Sequence, residues 1–242
     1  MNLCIDQGNS STKAAIFNHY ELVEDFYFEE FGEKEILSLF EKFSVKHCIL
    51  SSVAIKNDKI REILNAKSSF FIELTHTTIL PIQNLYETPE TLGKDRLAAV
   101  VGANFLKPDQ DILVIDAGTA ITYDFINSKK QYMGGNIAPG FNLRLRSLHE
   151  FTQRLPLVSV SSESPLLGID TNSAILSGAL YGIVFEIDGY INTLKIKYPQ
   201  LSVFLTGGST FYFVTKLKNP IFAEKNLVLI GLNRILQYNV QK

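Results

Sequence analysis

The chain has 242 residues, of which 46% are hydrophobic and 20% are charged, so it can bury a core of ordinary size. Its formal net charge of −2 argues against a nucleic-acid or anionic-membrane partner, because no excess of positive charge is present to attract one. Two cysteines are too few for a disulfide framework, which favours reduced thiols and a cytoplasmic location.

The first half of the chain alternates between strand and helix patterns. Its first segment has no basic region ahead of Asp6, so we do not expect a secretory leader. A hairpin around a glycine turn is predicted at the start, and apolar spacing predicts the helices and strands that follow. The predicted strands are residues 2–6, 13–18, 22–28, 48–50 and 69–74, and the predicted helices are residues 33–43, 58–66 and 97–105.

The second half of the chain opens as the first half does. An apolar strand at residues 111–116 ends in Asp-x-Gly, as the strand at residues 2–6 does. Although one such match can arise by chance, two halves of similar length that open alike favour a duplication. We therefore expect two lobes, residues 1–108 and 109–242, divided within a Lys-Pro-Asp-Gln segment.

Three further patterns complete the second half. The apolar run at residues 174–185 is too short to cross a bilayer and predicts a buried core helix. A strand at residues 203–206 leads into a third glycine turn, and a last helix is predicted at residues 227–238.

A strand that ends in Asp and runs into glycine and hydroxyl residues is suited to phosphate. Glycine lets the main chain approach the ligand, and main-chain N–H groups together with Ser or Thr hydroxyls donate to phosphate oxygens. Lys13 adds positive charge, and Asp6 can hold Mg²⁺, which binds proteins through one or two carboxylates. A single Asp-x-Gly turn is equally compatible with a plain turn, whereas the duplicated pair favours nucleotide binding.

The duplicated turns resemble the phosphate loops of the actin, sugar-kinase and Hsp70 superfamily. The resemblance implies an α/β fold of two similar lobes, each with a mixed, ribonuclease-H-like sheet, and a nucleotide in the cleft between them. Neither a Walker Gly-Lys-[Ser/Thr] signature nor a Gly-x-Gly-x-x-Gly run is present, which argues against those other nucleotide folds. By the same resemblance Thr206-Gly207-Gly208 would bind the adenosine, although a plain strand-to-helix turn also explains it.

The segment that begins at Gly93 carries candidate residues for the phosphate acceptor. Asp95 and Arg96 stand in the first turn of a predicted helix, where a cation opposes the helix dipole. An anionic substrate at the helix entrance would explain Arg96, whose guanidinium can grip a carboxylate in a fork. Asp95 can orient a hydroxyl and take its proton as the O–P bond forms. A solvated helix start is the alternative interpretation.

Four motifs in one order resemble the type III pantothenate kinase family, over nearly the whole chain. They are Asp6-Gln7-Gly8-Asn9-Ser10-Ser11-Thr12-Lys13, Gly93-Lys94-Asp95-Arg96, Asp116-Ala117-Gly118-Thr119-Ala120 and Gly134-Gly135-Asn136-Ile137-Ala138-Pro139-Gly140. The resemblance implies a phosphotransferase with an alcohol group as acceptor. It would use ATP to phosphorylate the primary hydroxyl of pantothenate, giving 4′-phosphopantothenate in the first step of coenzyme A biosynthesis.

The resemblance also implies a role for each matching residue. ATP and Mg²⁺ would be bound by Asp6, Gln7, Gly8, Asn9, Ser10, Ser11, Thr12 and Lys13, with Mg²⁺ held by Asp6 through ATP, and ATP would also touch Thr119. Asp95 would accept the proton, and pantothenate would contact Tyr86, Gly93, Lys94, Asp95, Arg96 and Thr171. Asp116 would hold a monovalent cation, K⁺ or NH₄⁺. The family is dimeric, so Thr171 would act across the interface of a homodimer. Ser10 departs from the usual Thr of the family but keeps the hydroxyl.

Two other functions remain open at this point. A non-catalytic nucleotide-binding regulator could share the fold, but it would have little reason to keep both Asp95 and Arg96. A sugar kinase of the same superfamily would not need a guanidinium clamp for a neutral acceptor. The Gly134–Gly140 motif is equally compatible with a purely conformational role. The cations of the next helix, Arg144, Arg146, His149 and Arg154, fit a solvated face, and the four histidines show no zinc-ligand spacing.

Overall fold

The computed structural model describes residues 1–8, 11–53 and 58–241, which form two compact units. The first unit contains Met1–Pro108, Lys130–Tyr132 and Asn226–Lys242, and the second contains Asp109–Lys129 and Met133–Lys225. In chain order the elements are β1 (Asn2–Gln7), β2 (Thr12–Asn18), β3 (Glu21–Phe28), α1 (Glu33–Lys42), β4 (His47–Ser52), α2 (Asp58–Lys67), β5 (Phe70–Glu73), β6 (Gln83–Asn84), α3 (Lys94–Leu106), β7 (Ile112–Ala117), β8 (Ala120–Ile126), β9 (Gln131–Pro139), α4 (Phe141–Glu150), α5 (Thr171–Lys197), β10 (Ser202–Thr206), α6 (Thr210–Phe213), β11 (Phe222–Ala223) and α7 (Leu227–Val240).

The first unit is built on a five-stranded sheet in the order β3-β2-β1-β4-β5. The hairpin partners β1, β2 and β3 pair antiparallel, whereas β4 runs parallel to β1 and β5 parallel to β4. Because side chains alternate between the faces of a strand, Leu3 and Ile5 point to the same side. There they pack with Ile36 of α1 and Leu64 of α2 in a buried apolar cluster.

Helices α3 and α7 pack against each other at two glycines of the first unit. A Cβ on Gly231 would meet the carbonyl oxygen of Ala98, and one on Gly102 would meet that of Leu227. Such close approach is open only to residues without a side chain. The long segment of the first unit ends at Pro108, and helix α7 also belongs to this unit, although it follows residues 109–225 in the chain.

The second unit repeats the plan of the first. Its strands follow the order β11-β10-β7-β8-β9, with β7 and β8 antiparallel and β10 parallel to β7. The repeat extends to the strand register. Asp6 of β1 lies beside Ser51 of the parallel strand β4, and Asp116 of β7 lies beside Thr206 of the parallel strand β10. The expected α/β fold with a duplicated mixed sheet is confirmed. Residues 131–132, which begin β9 and belong to the first unit, pair parallel with β6.

The long helix α5 forms much of the second unit's core. It runs for 27 residues, well beyond the segment expected from the apolar run at 174–185, and buries Ile183, Ile187 and Ile191. Asp170 caps it by accepting a 2.9 Å hydrogen bond from the main-chain N–H of Ser173. By length and composition α5 is one helix that could cross a membrane, but half of its most apolar stretch is buried inside the protein. A core helix passes the same test, so this is weak evidence for a span.

Candidate active site

The carboxylate of Asp6 lies at the carboxyl end of β1, between two neighbouring strands. Asp6 pairs with Lys13 on β2 and with Ser51 on β4, and the Ser51 hydroxyl donates a 3.1 Å hydrogen bond to its Oδ1. Burial raises the pKa of Asp6 to about 6, and the negative charge of Asp95 acts in the same direction. The hydrogen bond from Ser51 and the charge of Lys13 oppose that rise. Asp6 therefore stands in a partly buried, electronegative site.

The turn after Asp6 is tight. The main-chain N–H of Gly8 donates a 3.0 Å hydrogen bond to the carbonyl of Ser11, and the Gln7 side chain accepts a 2.9 Å hydrogen bond from Ser52. Thr12 is buried at the start of β2, while Ser11 and Lys13 are partly exposed. Of the residues expected to bind ATP phosphates, Asn9 and Ser10 lie outside the described residues.

Helix α3 begins one residue after Gly93, so Asp95 and Arg96 stand in its first turn as expected. The main-chain N–H of Arg96 donates a 2.8 Å hydrogen bond to Oδ1 of Asp95, and Gly93 is close enough that a Cβ there would lie 2.6 Å from the same oxygen. The negative charge of Asp95 is felt at Asp6. The two carboxylates singled out from separate sequence motifs thus share one electrostatic environment within the first unit.

Arg96 is only 5% exposed and lies among tyrosines. Its guanidinium carbon is 5.7 Å from the centroid of the Tyr86 ring, and its Nη2 donates a 3.2 Å hydrogen bond to the hydroxyl of Tyr132. The two tyrosine rings stack at 6.0 Å. This packing orients the guanidinium, which suits a planar, two-pronged interaction with a carboxylate. Tyr132 is absent from the sequence-based prediction, because nothing local marks it.

The side chain of Lys94 is directed onto strand β4. Its Nζ donates a 3.1 Å hydrogen bond to the carbonyl of Ser52 and lies 3.8 Å from Oε1 of Glu73. Glu73 in turn accepts two 2.7 Å hydrogen bonds from Arg61. Sequence reasoning missed Ser52, Glu73 and Arg61 altogether. The hydroxyls that follow the apolar run at 48–50 were a visible signal, whereas Glu73 and Arg61 had none.

In the second unit, two glycines form main-chain hydrogen bonds at the turn after Asp116. The N–H of Gly118 donates to the carbonyl of Ala120, and the N–H of Gly140 donates to that of Thr119, each at 3.0 Å. A Cβ on Gly140 would meet the carbonyl oxygens of both Gly118 and Thr119. Gly140, the last residue of the Gly134–Gly140 motif, therefore has a conformational role at the turn that carries Thr119.

A second glycine approaches Asp116 from β10. Gly207 has φ of 94°, in the region that favours glycine, and a Cβ there would meet the Asp116 carboxylate and the main chain of Ala117. The N–H of Ser209 also donates a 2.9 Å hydrogen bond to the carbonyl of Ala117. The turn at Thr206-Gly207-Gly208 is thus packed directly on the turn that follows Asp116.

One cation of helix α4 is engaged within the protein instead of lying on a solvated face. Arg144 donates a 2.6 Å hydrogen bond to Glu186 and a 2.8 Å hydrogen bond to the carbonyl of Pro139. Glu186 also accepts a 2.7 Å hydrogen bond from Tyr123. Arg144 therefore fastens the start of α4 beside Gly140. Arg146 instead pairs on the surface with Glu150 at 2.8 Å.

Thr171 is the first residue of helix α5 and is exposed. The segment before it exposes large apolar side chains, with Leu167 81% and Ile169 92% exposed.

Within the described part of the chain, no three His, Cys, Asp or Glu side chains lie together as a metal-binding group.

The sequence model of the family described as "Type III pantothenate kinase" matches residues 2–193. A type III pantothenate kinase from Phocaeicola vulgatus is 51% identical over 239 residues, covering 99% of each chain. Among solved structures, a Campylobacter jejuni protein assigned to the Baf family of transcriptional activators has a TM-score of 0.63 at 24% identity, covering 99% of this chain and 100% of its own. A Listeria monocytogenes protein assigned as an N-acetylmannosamine kinase has a TM-score of 0.56 at 15% identity, covering 98% and 99%. At these identities both structures show a shared fold alone.

Proposed function

The chain belongs to the type III pantothenate kinase family, and we propose that Asp6 and Asp95 are the two carboxylates on which its reaction depends. As a member of that family it is a kinase that uses ATP to phosphorylate the primary hydroxyl of pantothenate, in the first step of coenzyme A biosynthesis. The proposal rests on one observation, that the charge of Asp95 acts on the pKa of Asp6. A base and a phosphate-binding carboxylate must be near each other for direct transfer.

The turn from Asp6 to Lys13 is the proposed site for the ATP phosphates. The Oδ2 of Asp6 accepts no hydrogen bond from the described residues, so a hard oxygen ligand is available to Mg²⁺. Magnesium bound there would offset the charge of the phosphates and favour the ionised form of Asp6. Lys13 adds a second positive charge beside it. We include Gln7, Gly8, Asn9, Ser10, Ser11 and Thr12 in this site, and Thr119 of the second unit as a further ATP contact.

The start of helix α3 is the proposed acceptor site. Arg96, oriented by Tyr86 and Tyr132, is suited to hold the carboxylate of pantothenate, with Gly93 at the helix entrance. Lys94 belongs to the same segment, but its ammonium is bound to Ser52 and Glu73, so we assign the grip on the carboxylate to Arg96.

Asp95 is the proposed general base. The hydroxyl oxygen of pantothenate forms a bond to the γ-phosphorus, the bond from that phosphorus to the β,γ-bridging oxygen breaks, and ADP leaves. The hydroxyl proton passes to Asp95 as the new bond forms. The protein mainly supplies position and charge, because the transition state for phosphoryl transfer needs little covalent help.

The proposed monovalent-cation ligand is Asp116. Its carboxylate lies at a strand end close to Gly207, and carboxylate oxygens are ligands that hard cations accept. Activity in equal concentrations of KCl, NH₄Cl and NaCl tests this role. Activation by K⁺ or NH₄⁺ over Na⁺ that is lost in Asp116→Asn supports it, and equal activity in all three salts contradicts it.

A homodimer is the proposed assembly. The segment that leads into Thr171 exposes large apolar side chains, which a dimer interface would shield from water. Phe151, Leu167 and Ile169 are among the most exposed of them, and Thr171 follows directly. We propose that Thr171 contacts the pantothenate bound by the partner subunit. The role in coenzyme A synthesis supports a cytoplasmic location.

A coupled assay of ADP release with ATP, Mg²⁺, K⁺ and pantothenate tests the proposed function. The expected result is ADP release that requires pantothenate and yields phosphorylated pantothenate by mass spectrometry. Release that does not exceed the rate without pantothenate would contradict it. N-acetylmannosamine and glucose serve as neutral acceptors, which Arg96 is not suited to bind.

A further inference from the structure

Lys94 is the first residue of helix α3, where a positive charge opposes the helix dipole. Its ammonium nevertheless has a defined place, 3.1 Å from the carbonyl oxygen of Ser52 and 3.8 Å from Oε1 of Glu73. The Lys94 side chain is 30% exposed and that of Glu73 is 23% exposed, so the contact is partly shielded from water. Glu73 thus offsets a charge that the helix start disfavours.

Glu73 is itself held in place by a second cation. Arg61 of helix α2 donates from Nε to Oε2 and from Nη2 to Oε1, each at 2.7 Å. This two-pronged arrangement is the strong geometry for an arginine and a carboxylate. Because both oxygens of Glu73 are fixed, the position that it offers to the ammonium of Lys94 is fixed as well.

Ser52 links Lys94 to the turn that follows Asp6, which is called the phosphate turn below. Its hydroxyl donates a 2.9 Å hydrogen bond to the side chain of Gln7, and the N–H of Val53 donates a 3.1 Å hydrogen bond to the Gln7 carbonyl. Gln7 directly follows Asp6 on β1. Polar contacts therefore link Arg61, Glu73, Lys94 and Ser52 to the turn that begins at Asp6; all are hydrogen bonds except the Lys94–Glu73 ion pair.

We propose that Lys94 is a positioning residue that holds the first turn of α3, and with it Asp95, against the phosphate turn. Glu73, fixed by Arg61, keeps the Lys94 ammonium on Ser52. The inference rests on the proposed function, because it takes Asp95 to be the base. A displacement of about 1 Å at a reacting group can lower the rate by about 100-fold, so such a brace has kinetic consequences.

Steady-state kinetics of Lys94→Met, Glu73→Gln and the double variant test the proposal. Each single variant should lower kcat by about tenfold or more and change the pantothenate KM by less than about threefold. The double variant should be no slower than Lys94→Met, because Glu73 acts through Lys94. Lys94→Arg, which keeps a cation with donors in reach of Ser52 and Glu73, should recover most of kcat.

A matched control is Lys42→Met. Lys42 forms a 2.7 Å ion pair with Glu24 on an exposed surface of the same unit, so its loss should leave both constants unchanged. Melting temperatures show which variants are folded, and the comparison of Lys94→Met with Lys94→Arg decides the question if Glu73→Gln does not fold.

Three results would overturn the inference. A raised pantothenate KM at unchanged kcat in Lys94→Met would make Lys94 a substrate contact. If the loss of kcat in the double variant equalled the product of the two single losses, Glu73 would act independently of Lys94. A folded Lys94→Met variant with the kinetics of wild type would exclude Lys94 as a positioning residue. These outcomes all require an active wild type, whereas an inactive wild type would contradict the proposed function itself.

Discussion

The carboxylates of Asp6 and Asp95 repel each other, and their repulsion adds to the effect of burial in raising the pKa of Asp6 to about 6. One lies at the end of β1 and the other in the first turn of α3. In the free protein this proximity destabilises the folded state, since two negative charges are held together. In the proposed reaction the proximity would be useful, because Mg²⁺ and phosphate would bind beside one carboxylate and the acceptor hydroxyl beside the other. A site of this kind trades stability for function.

The raised pKa of Asp6, caused mainly by burial and further by the charge of Asp95, makes stability depend on pH. The folded protein holds the Asp6 proton more tightly than the unfolded chain, whose ordinary pKa is 3.8. The free energy of unfolding therefore falls as pH rises from about 4 to about 6, and it stays lower above that window. Asp6→Asn should raise the free energy of unfolding at pH 8 by up to about 3 kcal/mol, and the gain should vanish near pH 4.

Thermal or urea unfolding without nucleotide and in EDTA measures this effect. Glu29→Gln removes an exposed carboxylate of the same unit and should keep the wild-type pH dependence. An Asp6→Asn protein that is equally stable at pH 4 and less stable than wild type at pH 8 would contradict the assignment.

Asp95→Asn should remove the base while keeping the shape of the site. We expect kcat to fall by about 100-fold or more, with ATP affinity by calorimetry changed by less than about threefold. Glu90→Gln, at an exposed carboxylate in the segment ahead of α3, is the control and should keep its turnover. Turnover of Asp95→Asn close to that of wild type would exclude Asp95 as the base.

Arg96→Lys should weaken recognition of the acceptor carboxylate. Lysine keeps the charge but loses the planar fork and the packing on Tyr86, so kcat/KM for pantothenate should fall by about 10- to 100-fold. The variant should also discriminate less against pantothenol, the uncharged alcohol analogue. Kinetics with both acceptors measure this ratio, with the surface substitution Arg146→Lys as control. An unchanged ratio would place the carboxylate elsewhere.

Gly140→Ala should disturb the turn that carries Thr119. An added Cβ would meet the carbonyl oxygens of Gly118 and Thr119, so the turn must move. We expect a raised ATP KM. The free energy of unfolding should fall by roughly 1–3 kcal/mol, because the added methyl group overpacks the turn. In Gly189→Ala, on an exposed face of α5, an added Cβ meets nothing within 4 Å, and alanine there should be neutral or stabilising. An ATP KM that is equal in the two variants would argue against a role of the Thr119 turn in binding ATP.

Ile169→Glu should weaken the proposed homodimer. Ile169 is 92% exposed in one chain, and a carboxylate there would be costly to bury in an interface. Light scattering coupled to size exclusion measures the mass across a dilution series. Val23→Glu, on the edge strand β3 of the first unit, is the control and should remain dimeric. A wild-type chain that is monomeric at all concentrations would contradict the assembly.

The residues that carry the family resemblance could be found from the sequence because each motif is local. Strand-end acids, the glycines after them and Gly93 to Arg96 are consecutive residues, and turn chemistry depends on near neighbours. The duplicated fold and the family are confirmed, and so is the interpretation as a kinase instead of a non-catalytic regulator. The role of each site residue stays a prediction.

What only the tertiary structure decided is which distant residues stand beside those motifs. Ser51 reaches Asp6 because β4 pairs parallel to β1 in one register, and Tyr132 reaches Arg96 from 36 positions away. Helix α7 joins the first unit through glycine contacts with α3 that no periodicity reveals. Sequence alone therefore determined the carboxylates Asp6 and Asp95 as candidates. Packing determined that their charges interact, because electrostatic coupling depends on distance in space and on burial, and neither is written in the order of the residues.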